Sequence, residues 1–140
     1  MINTIRLSLI LIFGGLSALH FYWLLGGTRG LENAIPHIED KAAFVPPWWA
    51  TAIVAAGLIL CAGLIAAVGS ILTLPAPSKY LVGLAYILSG TLALRAIGDF
   101  KLVGFFKQQR NSKFARLDAA IYSPLCVVLS AAVFAVTWAR

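Results

Sequence analysis

RAIGDFKLVGFFKQQRNSKFARLDAAIY, Arg95–Tyr122, decides how the chain is divided. It carries Arg95, Lys101, Lys107, Arg110, Lys113 and Arg116 against only Asp99 and Asp118, and strongly apolar runs flank it on both sides. Such a stretch reads as a basic, aromatic hinge between two apolar helices. The remaining apolar runs then fall into place around it.

Outward from the hinge, span three covers about residues 80–97, ending with Arg95 in its last turn, and span four covers about 119–138. Pro124 sits in the first turns of span four, where a missing N–H costs least. Upstream, Pro75-Ala76-Pro77 and Ser78-Lys79 make a short turn, so spans two and three are expected to be antiparallel neighbours. Span two covers about 48–74 and is long for a bilayer, which predicts tilt or a protruding end. Its Ala52, Ala56, Gly63, Ala67 and Ser70, with Gly83, Gly90 and Ala93 of span three, are expected to form close-packing faces.

Span one covers about 5–25, enough residues to cross a hydrocarbon core of about 30 Å. Its start resembles a signal peptide, but His20-Phe21-Tyr22-Trp23 after the apolar run suits a retained helix end better. Gly26-Gly27 closes that helix. The polar connection 28–47 is expected to hold a short interfacial helix broken near Pro36, and Pro46-Pro47 lead into span two. Together these define an all-α, four-helix membrane bundle in one domain with two longer connections on one side.

Composition agrees. The chain is 61% hydrophobic and 11% charged over 140 residues, whereas ordinary globular domains are about 25% charged. A soluble fold this small leaves too much surface outside its core to hide that apolar fraction. The net charge of +6 sits mainly in connections beside membrane segments, where anionic lipid headgroups account for it. No nucleic-acid motif accompanies the charge, so nucleic acid is excluded as a partner. Cys61 and Cys126 lie in apolar runs without metal spacing and read as small buried hydrophobes.

Arg29, Lys41, Arg95, Lys101, Lys107, Arg110, Lys113 and Arg116 belong to the side of the long connections, and Arg6, Lys79 and Arg140 to the other. The positive-inside rule therefore predicts cytoplasmic long connections and both termini outside.

Chemistry-bearing side chains gather at the end of the bundle that holds the long connections. Arg95 and Asp99, four apart, would share a helix face and pair if the helix continues through Gly98. The bland role for that pair is to pin the helix end; the functional one presents a guanidinium to a headgroup, carboxylate or phosphate. His20 either makes a structural hydrogen bond or serves a pocket as acid or base, and one histidine does not make a metal site. Asp118, one turn before Tyr122, either favours the start of span four through the helix dipole or pairs with His20 or Arg95 across the bundle. With Tyr22, Trp23 and Trp48 they compose the candidate ligand-binding set; His20, Asp99 and Asp118 are the catalytic candidates. FKLVGFFK, Phe100–Lys107, reads as an interfacial segment with its aromatics in the acyl boundary and its lysines at phosphates. No nucleophile elbow, Walker motif or dinucleotide fingerprint is present, and the sequence specifies no cofactor.

HFYWLLGG (His20–Gly27), RAIGDFKLVGFFK (Arg95–Lys107) and FARLDAAIYSPLC (Phe114–Cys126) resemble a bacterial family of small four-span membrane proteins catalogued only as a domain of unknown function. The resemblance covers nearly the whole chain. It implies a bacterial integral membrane protein, hence one of the inner membrane, and lends no activity. Three roles stay open: a module binding a lipophilic or anionic-headgroup molecule; a membrane enzyme acting on a lipid or isoprenoid-like substrate with His20 and Asp118 or Asp99 as acid and base; and an accessory subunit. The expected partners are membrane lipids, a lipophilic ligand, and a second copy or another membrane protein.

Overall fold

The computed structural model describes the chain apart from residues 36, 39–40, 43–44, 77 and 109–111, and for 37–38 and 41–42 it describes the backbone alone. The expected consequences of Pro36, Pro77, Glu39, Asp40 and Arg110 therefore lie outside the described residues.

Four long helices make an up-down-up-down bundle: α1 (Ile2–Leu24), α3 (Trp48–Val68), α4 (Ser78–Ile97), and a final rod in which α5 (Lys113–Leu117) passes through a π turn (Asp118–Tyr122) into α6 (Ser123–Trp138). A four-residue helix α2 (Leu31–Ala34) and a ladder of β1 (His37–Ile38) against β2 (Lys41–Ala42) occupy the first long connection; the ladder is antiparallel, with His37 opposite Ala42. Helix α1 packs mainly on α3 and α4 on α6, with α3–α4 and α1–α6 completing the ring.

Among the described residues, four helices are long and apolar enough to cross a membrane, and only 17–22% of each apolar window is buried within the chain. Most of those side chains therefore face outward, where hydrocarbon satisfies them and water would not. The protein is a multi-pass membrane protein. The inward stripe is narrow: Leu9 and Phe13 of α1, Ala62, Ile65 and Val68 of α3, Ala85 of α4, and Leu129, Val133 and Val136 of α6 form one core. It lies toward the chain termini and leaves the opposite end of the bundle to polar contacts.

Hydrogen bonds fasten the helix pairs inside this apolar setting. Ser17 Oγ donates to the Ala55 carbonyl at 2.7 Å, joining α1 to α3. Ser89 and Ser130 each donate to the other's carbonyl, at 3.0 and 2.8 Å, joining α4 to α6. The small-residue faces expected on spans two and three are placed differently. The buried stripe of α3 is Ala55, Ala62, Ile65 and Val68, while Ala56 and Ser70 are exposed. A Cβ added at Gly63, Gly83 or Gly90 would meet open space.

Two helix ends set the geometry. Helix α1 stops in a Schellman arrangement: Gly27 N donates to Tyr22 O at 2.9 Å and Gly26 N to Trp23 O at 3.1 Å, with Gly26 at φ 95°. Helix α3 ends at Val68, short of Leu74, by the same device. Ser70 adopts φ 58° while Ile71 N reaches Ala66 O at 2.8 Å. The stop comes from Gly69-Ser70 rather than from Pro75, so α3 is not overlong for a bilayer.

Candidate functional site

The end of α4 determines the site. Gly98 takes φ 90° immediately after Ile97, which terminates the helix before Asp99. Asp99 therefore leaves the face that carries Arg95, and the expected Arg95–Asp99 pair does not form. Asp99 Oδ1 instead accepts from the backbone N–H groups of Lys101, Leu102 and Val103 at 2.9, 2.8 and 3.0 Å. The Val103 N–H bond leads the interactions that hold its carboxyl below the ordinary value of 3.8, since donors favour the charged form. Asp99 is a loop organiser.

The loop then folds back on α4. Phe105 N donates to Ala96 O at 2.9 Å. Gly98 and Gly104, both at positive φ, cross so closely that a Cβ on Gly98 would strike Val103 O and one on Gly104 would strike Ile97 O. Only glycine permits that crossing. Phe100, at φ 62°, occupies a conformation uncommon for a bulky residue; the three bonds to Asp99 and the glycine crossing surround it.

Folding back delivers Gly104 and Lys107 to Asp118. Asp118 is fully buried. Its Oδ1 accepts from Arg95 Nη2 at 2.9 Å, and its Oδ2 accepts from Gly104 N at 2.8 Å and Lys107 Nζ at 3.0 Å. Lys107 Nζ also donates to Gly104 O at 3.0 Å. A buried carboxylate is tolerated only when its charge is paired and its lone pairs are occupied, and here both conditions hold. Lys107 is thus only 3% exposed, which corrects its expected position at lipid phosphates. Lys101, Phe100 and Phe106 of the same segment are exposed.

Asp118 opens the π turn, in which Ser123 N reaches back to Asp118 O. The preceding α5 is capped by Ser112, whose Oγ accepts from Ala115 N at 3.0 Å. Tyr122, at the other end of the π turn, donates its hydroxyl to Asn33 O at 3.1 Å and so holds α2 against the final rod. Its ring lies 6.0 Å from that of Phe114.

On α1, His20 Nδ1 lies 2.8 Å from Leu16 O. A carbonyl only accepts, so Nδ1 carries the proton, and in the neutral ring Nε2 holds the lone pair. The His20 ring meets Trp23 edge-on with centroids 4.9 Å apart. Trp23 Nε1 donates to Arg29 O at 2.9 Å, which fixes the indole.

A cavity of about 340 Å³ lies among these groups. Leu16, Leu19, His20 and Trp23 of α1, Gly30, Asn33 and Ala34 at α2, Arg95 of α4, and Phe114 and Tyr122 line it. Four candidates named from sequence, His20, Trp23, Arg95 and Tyr122, meet there. Asp118 stands behind Arg95 as its counter-ion. Three others stand apart. Tyr22 is half exposed, with its ring over Gly27. Trp48 lines a neighbouring recess with Val45 and Pro46. Asp99 is in the loop. No hydrogen bond links His20 to Asp99 or Asp118 among the described residues.

Two polar atoms of the cavity residues are buried without a hydrogen-bond partner among the described residues: Arg95 Nη1 and Asn33 Oδ1. The guanidinium fork is divided: Nη2 is on Asp118, and Nη1 is enclosed by the protein without a partner among the described residues. Asn33 and Gly104 were not singled out from sequence. A signal for Gly104 existed: with five acidic residues in the chain, a carboxylate entering an apolar run demands donors, and the nearest glycine-bracketed loop supplies them. Asn33 had no signal, because its position depends on how α2 packs against α5 and the π turn.

The sequence matches the family described as "Protein of unknown function (DUF3995)" over residues 13–133. No curated protein and no solved structure matches the chain.

Proposed function

Because this chain belongs to the DUF3995 family, whose description assigns no role, we propose one from its own geometry: it is a membrane-embedded binding protein. The cavity between α1, α2, α4 and the π turn holds the polar end of a lipophilic molecule, and Arg95 anchors an anionic or acceptor group. The observation that carries this reading is the meeting of Arg95, a cation with its side chain 35% exposed, with His20, Trp23 and Tyr122 around one cavity. A guanidinium at the edge of an apolar cavity favours an anionic or acceptor group there. Leu16, Leu19, Trp23 and Phe114 provide the apolar wall. Most small-molecule sites combine an apolar lining with a few polar groups in this way.

The distribution of Lys and Arg supports an orientation with the long connections and the cavity on the cytoplasmic side and both termini outside; the membrane itself, a bacterial inner membrane, is what the family resemblance implies. The ligand then enters from the bilayer or from its cytoplasmic surface.

Equilibrium binding of fluorescent anionic lipids to detergent-extracted protein tests the reading. Arg95→Ala and the cavity-filling Ala34→Phe should each lower retention at least tenfold. Ala34→Phe leaves the Arg95–Asp118 pair intact, which separates loss of the site from loss of the fold. Equal retention by wild type and both variants would refute the proposal.

A further inference from the structure

We infer that the 98–106 loop is a membrane foot: Phe100 and Phe106 enter the bilayer at the boundary between headgroups and acyl chains, and Lys101 meets the lipid phosphates. This surface is separate from the cavity and does not depend on what the cavity holds.

The length of α4 fixes the level. Its 20 residues extend about 30 Å at about 1.5 Å per residue, and the hydrocarbon core is about 30 Å thick. The last turn of α4 therefore reaches the boundary between acyl chains and headgroups. The chain does not run outward into water from there. After the crossing of Gly98 with Gly104 it turns back, and Phe105 N donates to Ala96 O at 2.9 Å. Phe105 lines a groove of about 500 Å³ with Ala93, Ala96 and Ile97 of α4 and Val127 and Phe134 of α6. All five of those neighbours belong to membrane spans. Phe106 follows one residue later, and its ring lies 6.3 Å from that of Phe100. The loop's aromatic residues thus stand level with the end of α4.

Phe100 and Phe106 are 56% and 62% exposed. Phenyl rings left in water forfeit the gain of burial; at the acyl boundary they keep it. The backbone beneath them is fixed, so the rings are presented rather than folded away. Asp99 ties down Lys101, Leu102 and Val103, and Asp118 ties down Gly104. Phe100 also holds φ 62°, a conformation that costs a bulky residue energy and persists where the surrounding structure enforces it, often at functional positions. Lys101 is exposed beside Phe100. Its stem can lie along the acyl boundary while the ammonium reaches phosphate. Aromatic and basic groups divided in this way are the composition of a segment that lies in the interface. A water-soluble partner would have to descend to the last turn of α4 to cover the rings, where lipid already stands.

Nitroxide probes on the full chain, in nanodiscs of equal parts phosphatidylcholine and phosphatidylglycerol, test this. In a Cys61→Ala and Cys126→Ala background, Phe100→Cys, Phe106→Cys and Lys101→Cys each carry the probe in turn. Relaxation by oxygen, which partitions into the bilayer, against relaxation by a water-soluble nickel chelate gives the depth. Probes at positions 100 and 106 should lie about 5–10 Å into the headgroup and acyl boundary, and the probe at position 101 should lie shallower than both. Relaxation at 100 and 106 mainly by the nickel chelate would overturn the inference, and so would equal depth at all three positions. A photoreactive benzoylphenylalanine in place of Phe106, irradiated in whole membranes, separates the kinds of partner. It should gain the mass of a phospholipid; an adduct to a second protein in place of lipid would overturn the bilayer assignment.

Discussion

Arg95 Nη2 and Asp118 Oδ1 meet at 2.9 Å, joining the last turn of α4 to the π turn of the final rod. Asp118 is fully buried and the Arg95 side chain is about one-third exposed (35%). The contact therefore has a dry end and a wet end. The dry end fixes the guanidinium; the wet end lies against the cavity.

Removal of Asp118 should destabilise the fold more than removal of either cation. Breaking a buried pair by deleting one member costs about 3–5 kcal/mol, and Asp118→Ala removes the one carboxylate that Arg95, Lys107 and the Gly104 N–H all bind. Arg95→Met leaves Oδ2 with its two donors and should cost less. Thermal unfolding in detergent, followed by circular dichroism, ranks the two. The ranking is wrong if Arg95→Met lowers the midpoint as far as Asp118→Ala.

Gly104→Ala should disrupt the same network without touching a charge. The added methyl meets Ile97 O and the Gly98 backbone, and φ 89° is strained for any residue with a Cβ. The loop must shift, carrying the Gly104 N–H off Asp118. Gly63→Ala serves as the control, because its methyl meets nothing, and should change the unfolding midpoint little. Comparable losses in the two variants would contradict the glycine crossing.

Acid should open the 98–104 loop. The Asp99 carboxyl is held below its ordinary 3.8 by backbone donors, Val103 N–H first. A lowered folded value means that the contribution is present above the unfolded pKa and is lost as pH falls through the folded one. Amide exchange at Lys101, Leu102 and Val103, corrected for intrinsic rates, should show protection at about pH 5 that declines toward about pH 2. In Asp99→Ala these amides should be unprotected throughout. Protection that persists unchanged in acid would show that the carboxylate does not organise the loop.

The serine clamp between α4 and α6 should contribute modestly. Interhelical hydrogen bonds in membranes average about 0.6 kcal/mol, and Ser89 and Ser130 make two reciprocal ones. The Ser89→Ala and Ser130→Ala double variant should lose about 1 kcal/mol, measured by unfolding in mixed micelles. A loss above about 3 kcal/mol would mean that the pair does more than join two carbonyls to two hydroxyls.

The number of spans, their antiparallel order and the convergence of polar side chains at one end follow from the sequence alone. Apolar runs of bilayer length and short turns leave the topology little freedom, and the helix ends bring His20, Arg95 and Asp118 to one level. Which of these groups touch was decided by tertiary structure. Spacing of four suggested Arg95 with Asp99, but Gly98 ends the helix between them, and the crossing of Gly98 with Gly104 turns the loop under Asp118. Lys107 looked like a surface lysine because its neighbours are apolar and basic; a carboxylate distant in sequence draws it inside. Helix existence depends on residues near one another in the chain, where periodicity is visible. Partner choice for a buried charge depends on what a loop closure brings within 3 Å, and on the desolvation that a buried carboxylate must offset with donors.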